Sequence, residues 1–277
     1  MIKPLDRKPT ATSGMTSIRD FAAAKAAGRK IAVVTAYDAW SARLLAKSPI
    51  DALLVGDSAM TVIHGERDTL GATVELMALH TRAVARGAPE TVIIADMPFL
   101  SVRQGTVRAL DSAAQLLRAG AHAVKVEGAR GHTDVIHHLV ESGIPVMGHL
   151  GLTPQSVHQL GGYRVQAREA VAAAQLREDA VALEAAGVFA LVLECIPQSL
   201  AAEVTAACRR PTIGIGAGAH CDGQVLVLQD LLGLSPEFHP RFARAFVDGA
   251  ELVHRGATRF SSAVRDGTFP DIEEAFQ

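Results

Sequence analysis

An α/β fold built as a single (β/α)8 TIM barrel is predicted by three features of the 277-residue chain. Eight short apolar runs have strand length, helix-length amphipathic segments separate them, and polar residues stand just beyond several runs. A strand covered on both faces reads as a near-continuous Val/Ile/Leu run rather than an alternating one. Polar groups that follow such runs gather at one end of the sheet, which in a closed barrel is the end that carries chemistry.

The strands are expected at residues 31–36 before Tyr37 and Asp38, 52–56 before Asp57, 91–95 before Asp96, and 121–126 before Glu127. The second half continues with 144–148 before His149, 188–193 before Glu194, 212–215 before the glycine loop 216–218, and 225–228 before Asp230. Helices are expected at 16–27, 39–47, 74–86, 106–118, 133–142, 167–186, 200–208 and 240–254. Thr16 and Ser17 can cap the first helix, and Gly28 punctuates its end. Pro98 stops the strand that closes on Asp96. Two connections are long, 57–73 and 151–166 with its Gly161-Gly162 pair, and long loops at this end of a barrel commonly close over substrate. No Ser/Pro-rich linker interrupts the pattern, so residues 16–277 are expected to form one catalytic domain after a flexible segment, residues 1–15, that contains Pro4 and Pro9.

The formal charge is −2, with 27 basic and 29 acidic residues spread along the chain, which argues against a polyanion such as nucleic acid. Aromatic content of 4% leaves little for base stacking. No run approaches the ~20 apolar residues that span a bilayer, and the first residues lack the apolar core of a signal peptide. A cytoplasmic enzyme with small-molecule partners and no membrane partner is therefore expected. The three cysteines, Cys195, Cys208 and Cys221, form no CxxC pair and suit packing in a reducing compartment.

Asp57, Asp96, Glu127, Glu194 and Asp230 all follow apolar runs. Singly, each is equally well read as a solvated strand end or a helix cap. Gathered at one sheet end they would repel one another unless protons or a cation intervened, and oxygen-only ligands point to Mg²⁺ or a similar hard ion. Gly56 allows close approach to the backbone where Asp57 and Ser58 enter the barrel mouth. Lys125 and Glu127 lie two apart on one strand and so face the same way. Lys125 can hold a carboxylate or keto oxygen of an anionic substrate; a Schiff-base role and a plain Lys–Glu ion pair are the other readings. Glu194, between Leu193 and Cys195, is read either as a general base or as a plain salt-bridge partner. His149, following a strand and standing between Gly148 and Gly151, is either a satisfied structural histidine or a substrate contact.

Six ordered stretches carry a family resemblance. They are Val55-Gly56-Asp57-Ser58, Ala95-Asp96-Met97-Pro98-Phe99, Val124-Lys125-Val126-Glu127-Gly128, the run from Gly148-His149 through Pro154-Gln155-Ser156, Leu191-Val192-Leu193-Glu194-Cys195, and Ile213-Gly214-Ile215-Gly216-Ala217-Gly218. Over residues 16–266 the chain resembles the 3-methyl-2-oxobutanoate (ketopantoate) hydroxymethyltransferase family. The resemblance implies a barrel of the phosphoenolpyruvate/pyruvate-binding type. It also implies Mg²⁺, with 5,10-methylenetetrahydrofolate as co-substrate, for one-carbon transfer to 3-methyl-2-oxobutanoate through a chelated enolate. The product would be 2-dehydropantoate, on the way to pantothenate and coenzyme A. By resemblance, Asp57 and Asp96 are metal ligands, and Glu127 stands in the metal shell. Ser58 and Lys125 bind the keto acid, Glu194 accepts the proton, and a homodecamer is implied; with the metal ligands Asp57 and Asp96, and with His149 from its own position, these are the residues expected to face the substrate.

The chain departs from the family pattern in several places. Ala59-Met60-Thr61 replaces Leu-Gly-Met, Gly71 replaces a common proline, Gln229-Asp230 replaces His-Asp, and Arg164 replaces a lysine that would meet a folate tail or seal a lid. These changes keep open a Mg-dependent aldolase or C–C lyase acting on another α-keto acid, and a non-catalytic ligand-binding barrel. The nucleophile loop of isocitrate lyases, Lys-Lys-Cys-Gly-His, is absent from the sequence.

Overall fold

The apolar runs condense into eight parallel strands that close in sequence order into a barrel. The structure, a computed structural model, describes residues 15–235 and 240–276. The strands are β1 (Ile31–Thr35), β2 (Ala52–Val55), β3 (Val92–Asp96), β4 (Ala123–Glu127), β5 (Val146–Gly151), β6 (Ala190–Glu194), β7 (Thr212–Ile215) and β8 (Gly223–Leu226). Helices α1 (Arg19–Ala26), α2 (Ala39–Leu45), α3 (Ala59–Val62), α4 (Val74–Gly87), α5 (Thr106–Arg118), α6 (Thr133–Glu141), α7 (Val157–Leu160), α8 (Ala170–Ala185) and α9 (Gln198–Ala207) belong to the same unit. A second compact unit begins at Val227 and holds α10 (Leu228–Leu232) and α11 (Gly249–Arg265).

Strand alternation divides the core into two layers. Leu53, Val55, Ile93, Val124, Val126, Leu191 and Leu193 point outward and pack with helix residues such as Met77, Leu116, Ile136 and Leu183. The intervening residues, among them Leu54, Ile94, Ala123, Met147, Val192 and Ile213, fill the interior. Phe21 of α1 and Met15 join this inner cluster, and Phe21 meets Phe189 edge-on at 5.2 Å. Of the N-terminal segment expected to be flexible, residues 1–14 lie outside the described residues, and Met15 is buried.

Near the carboxyl ends the inward positions change from apolar to charged without changing phase. Ile94 is followed two residues on by Asp96, Ala123 by Lys125 and Glu127, Met147 by His149, and Val192 by Glu194. One periodicity therefore builds both the packed interior and the polar mouth.

Two expectations are corrected. The last strand ends at Leu226, so Asp230 is not a strand-end residue; it lies within α10 in the second unit. The last helix does not span 240–254: Asp248 caps it by accepting from the Glu251 N–H at 3.1 Å, and the helix runs from Gly249 to Arg265. The two long connections carry short structure, α3 in the first and a 3₁₀ turn (Pro154–Ser156) followed by α7 in the second. Among the described residues no helix is long and apolar enough to cross a membrane.

Candidate active site

Register between strands decides which inward side chains become neighbours. Asp96 pairs with Lys125, Glu127 with His149, and Gly151 with Glu194. Lys125 Nζ thus lies 3.0 Å from Asp96 Oδ1 and 3.9 Å from Glu127 Oε1. His149 spans two carboxylates, with Nδ1 at 3.5 Å from Glu127 Oε1 and Nε2 at 3.2 Å from Glu194 Oε2. Asp57, Asp96, Lys125, Glu127 and His149 are all buried, whereas the Glu194 side chain remains 16% exposed at the mouth.

The turn after β2 is tied into this row. The Asp57 N–H donates to Asp96 Oδ2 at 3.0 Å. Ser58 Oγ lies 2.8 Å from the buried Tyr37 hydroxyl and folds back over Gly56, where a Cβ would stand 2.6 Å from it. The close approach expected at Gly56 is therefore made by the Ser58 side chain itself. At β6, Cys195 adopts a left-handed φ of 47°, and the carbonyl of Glu194 accepts from Leu152 N at 2.8 Å. A Cβ on Gly151, whose φ is 97°, would strike that same carbonyl.

Burial and charge set the protonation states. Burial opposes a charge on Lys125, but Asp96, Glu127 and Asp57 together raise its pKa, so it stays an ammonium. A Schiff base needs the neutral amine, the form that these carboxylates disfavour. Burial and Lys125, 3.3 Å from Nδ1, push His149 down, yet Glu127 and Glu194 outweigh both and its pKa is pushed up to about 9. His149 is thus an imidazolium at neutral pH that stands in ion-pair range of both carboxylates. Burial, then Asp96 and Glu127, raise Asp57 well above the usual carboxylate range; burial also raises Asp96, against Lys125. Glu127 is lowered: burial raises it, but His149, Lys125 and the Gln155 N–H prevail.

The anionic side of this group exceeds its cations, which suits an added hard cation. Glu127 Oε1 is buried and accepts no hydrogen bond. Among the described residues no three His, Cys, Asp or Glu side chains form a ready-made metal cage. An ion of the Mg²⁺ type needs only one or two carboxylates, with water and substrate completing the octahedron, and Asp57 and Asp96 fit that requirement.

Sequence reasoning gave no role to two residues that the structure brings to the centre. Gln155 Nε2 donates to Asp57 Oδ2 at 2.8 Å and to the Met97 carbonyl at 2.9 Å, while its N–H donates to Glu127 Oε2 at 3.0 Å. Tyr37 positions Ser58. Nothing in local spacing marks either contact. Arg164 is exposed, and its backbone carbonyl accepts from Gln166 Nε2. His137 and His138 lie exposed on α6, as their helical context suggests, and all three cysteines are buried and free. Met60 and Gly71, two of the departures, prove to be neighbours: a Cβ at 71 would stand 3.1 Å from Met60 Cε. The bulk gained at 60 occupies the room left at 71.

A family model described as ketopantoate hydroxymethyltransferase matches residues 15–272. The 3-methyl-2-oxobutanoate hydroxymethyltransferase of Bdellovibrio bacteriovorus is 48% identical, over 95% of this chain and 100% of that protein. Its namesake from Coxiella burnetii is 49% identical, over 92% of this chain and 96% of that protein. Among solved structures, phosphonopyruvate hydrolase in complex with oxalate and Mg²⁺ is similar at a TM-score of 0.60 and 14% identity, covering 94% of this chain and 93% of that one. A 2,3-dimethylmalate lyase of the PEP mutase/isocitrate lyase superfamily gives 0.60 at 19% identity, covering 95% and 92%. Those two likenesses establish the barrel type, and the sequence matches establish more: this chain belongs to the ketopantoate hydroxymethyltransferase family, a family of transferases.

Proposed function

We propose that the chain transfers a hydroxymethyl group from 5,10-methylenetetrahydrofolate to 3-methyl-2-oxobutanoate, forming 2-dehydropantoate, with Mg²⁺ held by Asp57 and Asp96 and with Glu127 in its shell. The observation that carries this reading is the His149 bridge, which joins the mouth carboxylate of Glu194 to the buried Glu127, Lys125, Asp96 and Asp57 row.

Mg²⁺, when bound, supplies Lewis-acid polarisation of the keto oxygen. Lys125, held protonated, offers a fixed ammonium to the substrate carboxylate or keto oxygen. Ser58, steadied by Tyr37, offers a hydroxyl at the same place. Glu194 takes the proton from C3 of the keto acid, and the electron pair left there forms the new bond to the donor's methylene carbon. Both bonds from that carbon to N5 and N10 break, water supplies the hydroxyl group, and the remaining water proton and the proton taken by Glu194 go to the two nitrogens of the departing tetrahydrofolate. His149, a cation with Nε2 3.2 Å from Glu194 Oε2, holds the Glu194 carboxylate in place by ion pairing, so its part is to position the base. Family membership also supports a homodecamer and a cytoplasmic location.

The test is to incubate purified protein with 3-methyl-2-oxobutanoate and 5,10-methylenetetrahydrofolate, with and without Mg²⁺, and to follow 2-dehydropantoate by mass spectrometry. Metal-dependent product is expected. Product formed equally well from free formaldehyde without folate would instead favour an aldolase, and no product from folded, metal-loaded protein would overturn the proposal.

A further inference from the structure

A cavity of about 830 Å³ opens at the carboxyl end of the barrel unit, within the size range of sites for drug-sized ligands. It is walled by the loops after β3, β4 and β5 and by α8. None of the five buried charged side chains lines it, but Gln155 does, and Gln155 also touches Asp57 and Glu127. The cavity and the charged cluster are therefore adjoining compartments that share one wall. A small keto acid chelated at the cluster leaves the larger compartment free.

Its lining combines apolar surface from Phe99, Leu100 and Leu176 with two guanidinium groups, Arg103 and Arg130. The two arginines differ. Arg130 is engaged, with Nε 3.2 Å from Asp179 and Nη2 3.8 Å from Glu178. Arg103 Nη1 donates to the Arg130 carbonyl at 3.2 Å, and among the described residues no ion pair neutralises it. Gly128 and Gly131 leave it room, since a Cβ at 131 would come within 3.3 Å of Nη1. A guanidinium so placed presents its remaining N–H groups to a carboxylate, the partner whose geometry matches its fork. Arg164 does not line this cavity.

We propose that this cavity seats the aminobenzoyl-glutamate half of the folate donor, with Arg103 taking a glutamate carboxylate. The inference rests on the proposed transfer reaction. An aminobenzoyl ring extended by a glutamate, whose carboxylates stand well beyond the ring, matches apolar walls ending in an uncompensated cation, and the shared Gln155 wall brings the donor beside the acceptor.

The experiment compares equilibrium binding of tetrahydrofolate and of tetrahydropteroate, which lacks the glutamate, to the unmodified chain and to Arg103→Ala. The unmodified chain should bind tetrahydropteroate about tenfold more weakly, the loss expected for one charge-assisted contact at a partly exposed site. Arg103→Ala should bind the two alike, with affinity for 3-methyl-2-oxobutanoate unchanged, and Arg164→Ala should still discriminate. Arg103→Met, which keeps the aliphatic stem, serves if the shorter variant unfolds. Undiminished discrimination by both Arg103 variants overturns the assignment and leaves the transfer reaction standing. If neither folate binds the unmodified chain, the reaction itself falls, and the assignment with it.

Discussion

Gln155 is the side chain whose removal tests most directly how the mouth of the barrel is held together. Replacing it with alanine deletes the 2.8 Å bond to Asp57 Oδ2 and the 2.9 Å bond to the Met97 carbonyl, and leaves the backbone donation to Glu127 intact. Each lost bond contributes about 1 kcal/mol net, so the variant should be destabilised by about 2 kcal/mol. For a protein of this size that corresponds to a fall in Tm of about 4–8 °C, read by calorimetry without added metal. Gln155→Met separates bonding from packing, because methionine keeps most of the volume and neither donor. If the hydrogen bonds are what matters, methionine should lose nearly as much as alanine. A methionine variant as stable as the unmodified chain would refute the reasoning, since the two bonds would then contribute nothing.

Further outcomes follow from the same geometry. Glu194→Gln should keep keto-acid binding while turnover falls by about 10²–10⁴-fold, the usual contribution of a positioned base; undiminished turnover in a steady-state assay would remove Glu194 from the mechanism. Gly151→Ala, at φ 97° and with its Cβ driven into the Glu194 carbonyl, should cost at least about 2 kcal/mol in denaturant unfolding and displace the base, whereas Cys195→Gly should relieve about 1 kcal/mol at a left-handed residue. His122, remote from this chemistry, accepts from Ile93 N at Nδ1 (3.1 Å), and burial lowers its pKa below 6.5. The unfolded chain takes up that proton first, so the stability His122 contributes is full above pH 6.5 and declines as pH falls below it. Replacing it with asparagine should flatten that decline in unfolding curves taken at neutral pH and about one unit below 6.5; identical curves would exclude it as a source.

Much of this was legible in the linear chain because the information is local. A run such as Val92 to Asp96 announces a strand buried on both faces, and the two-residue period states that Lys125 and Glu127 share a face. Repeated eight times, those cues are enough for the barrel, and the ordered motifs are enough for the family. The long-range arrangement was not legible. Periodicity says which face a side chain takes and nothing about which strand lies beside it, so only the closed sheet put Glu127 next to His149 and His149 next to Glu194. The reach of Gln155 to Asp57, the fit of Met60 against Gly71, and the cavity at Arg103 join segments far apart in sequence or folded back on themselves. Asp230 shows the reverse: its local pattern imitates a strand end, yet β8 finishes at Leu226 and the residue falls in a helix. Protonation was the least legible of all. Composition alone leaves His149 near its ordinary value, and only the placement of Glu127 and Glu194 on either side of its ring, a property of the assembled barrel that outweighs burial and Lys125, makes it an imidazolium.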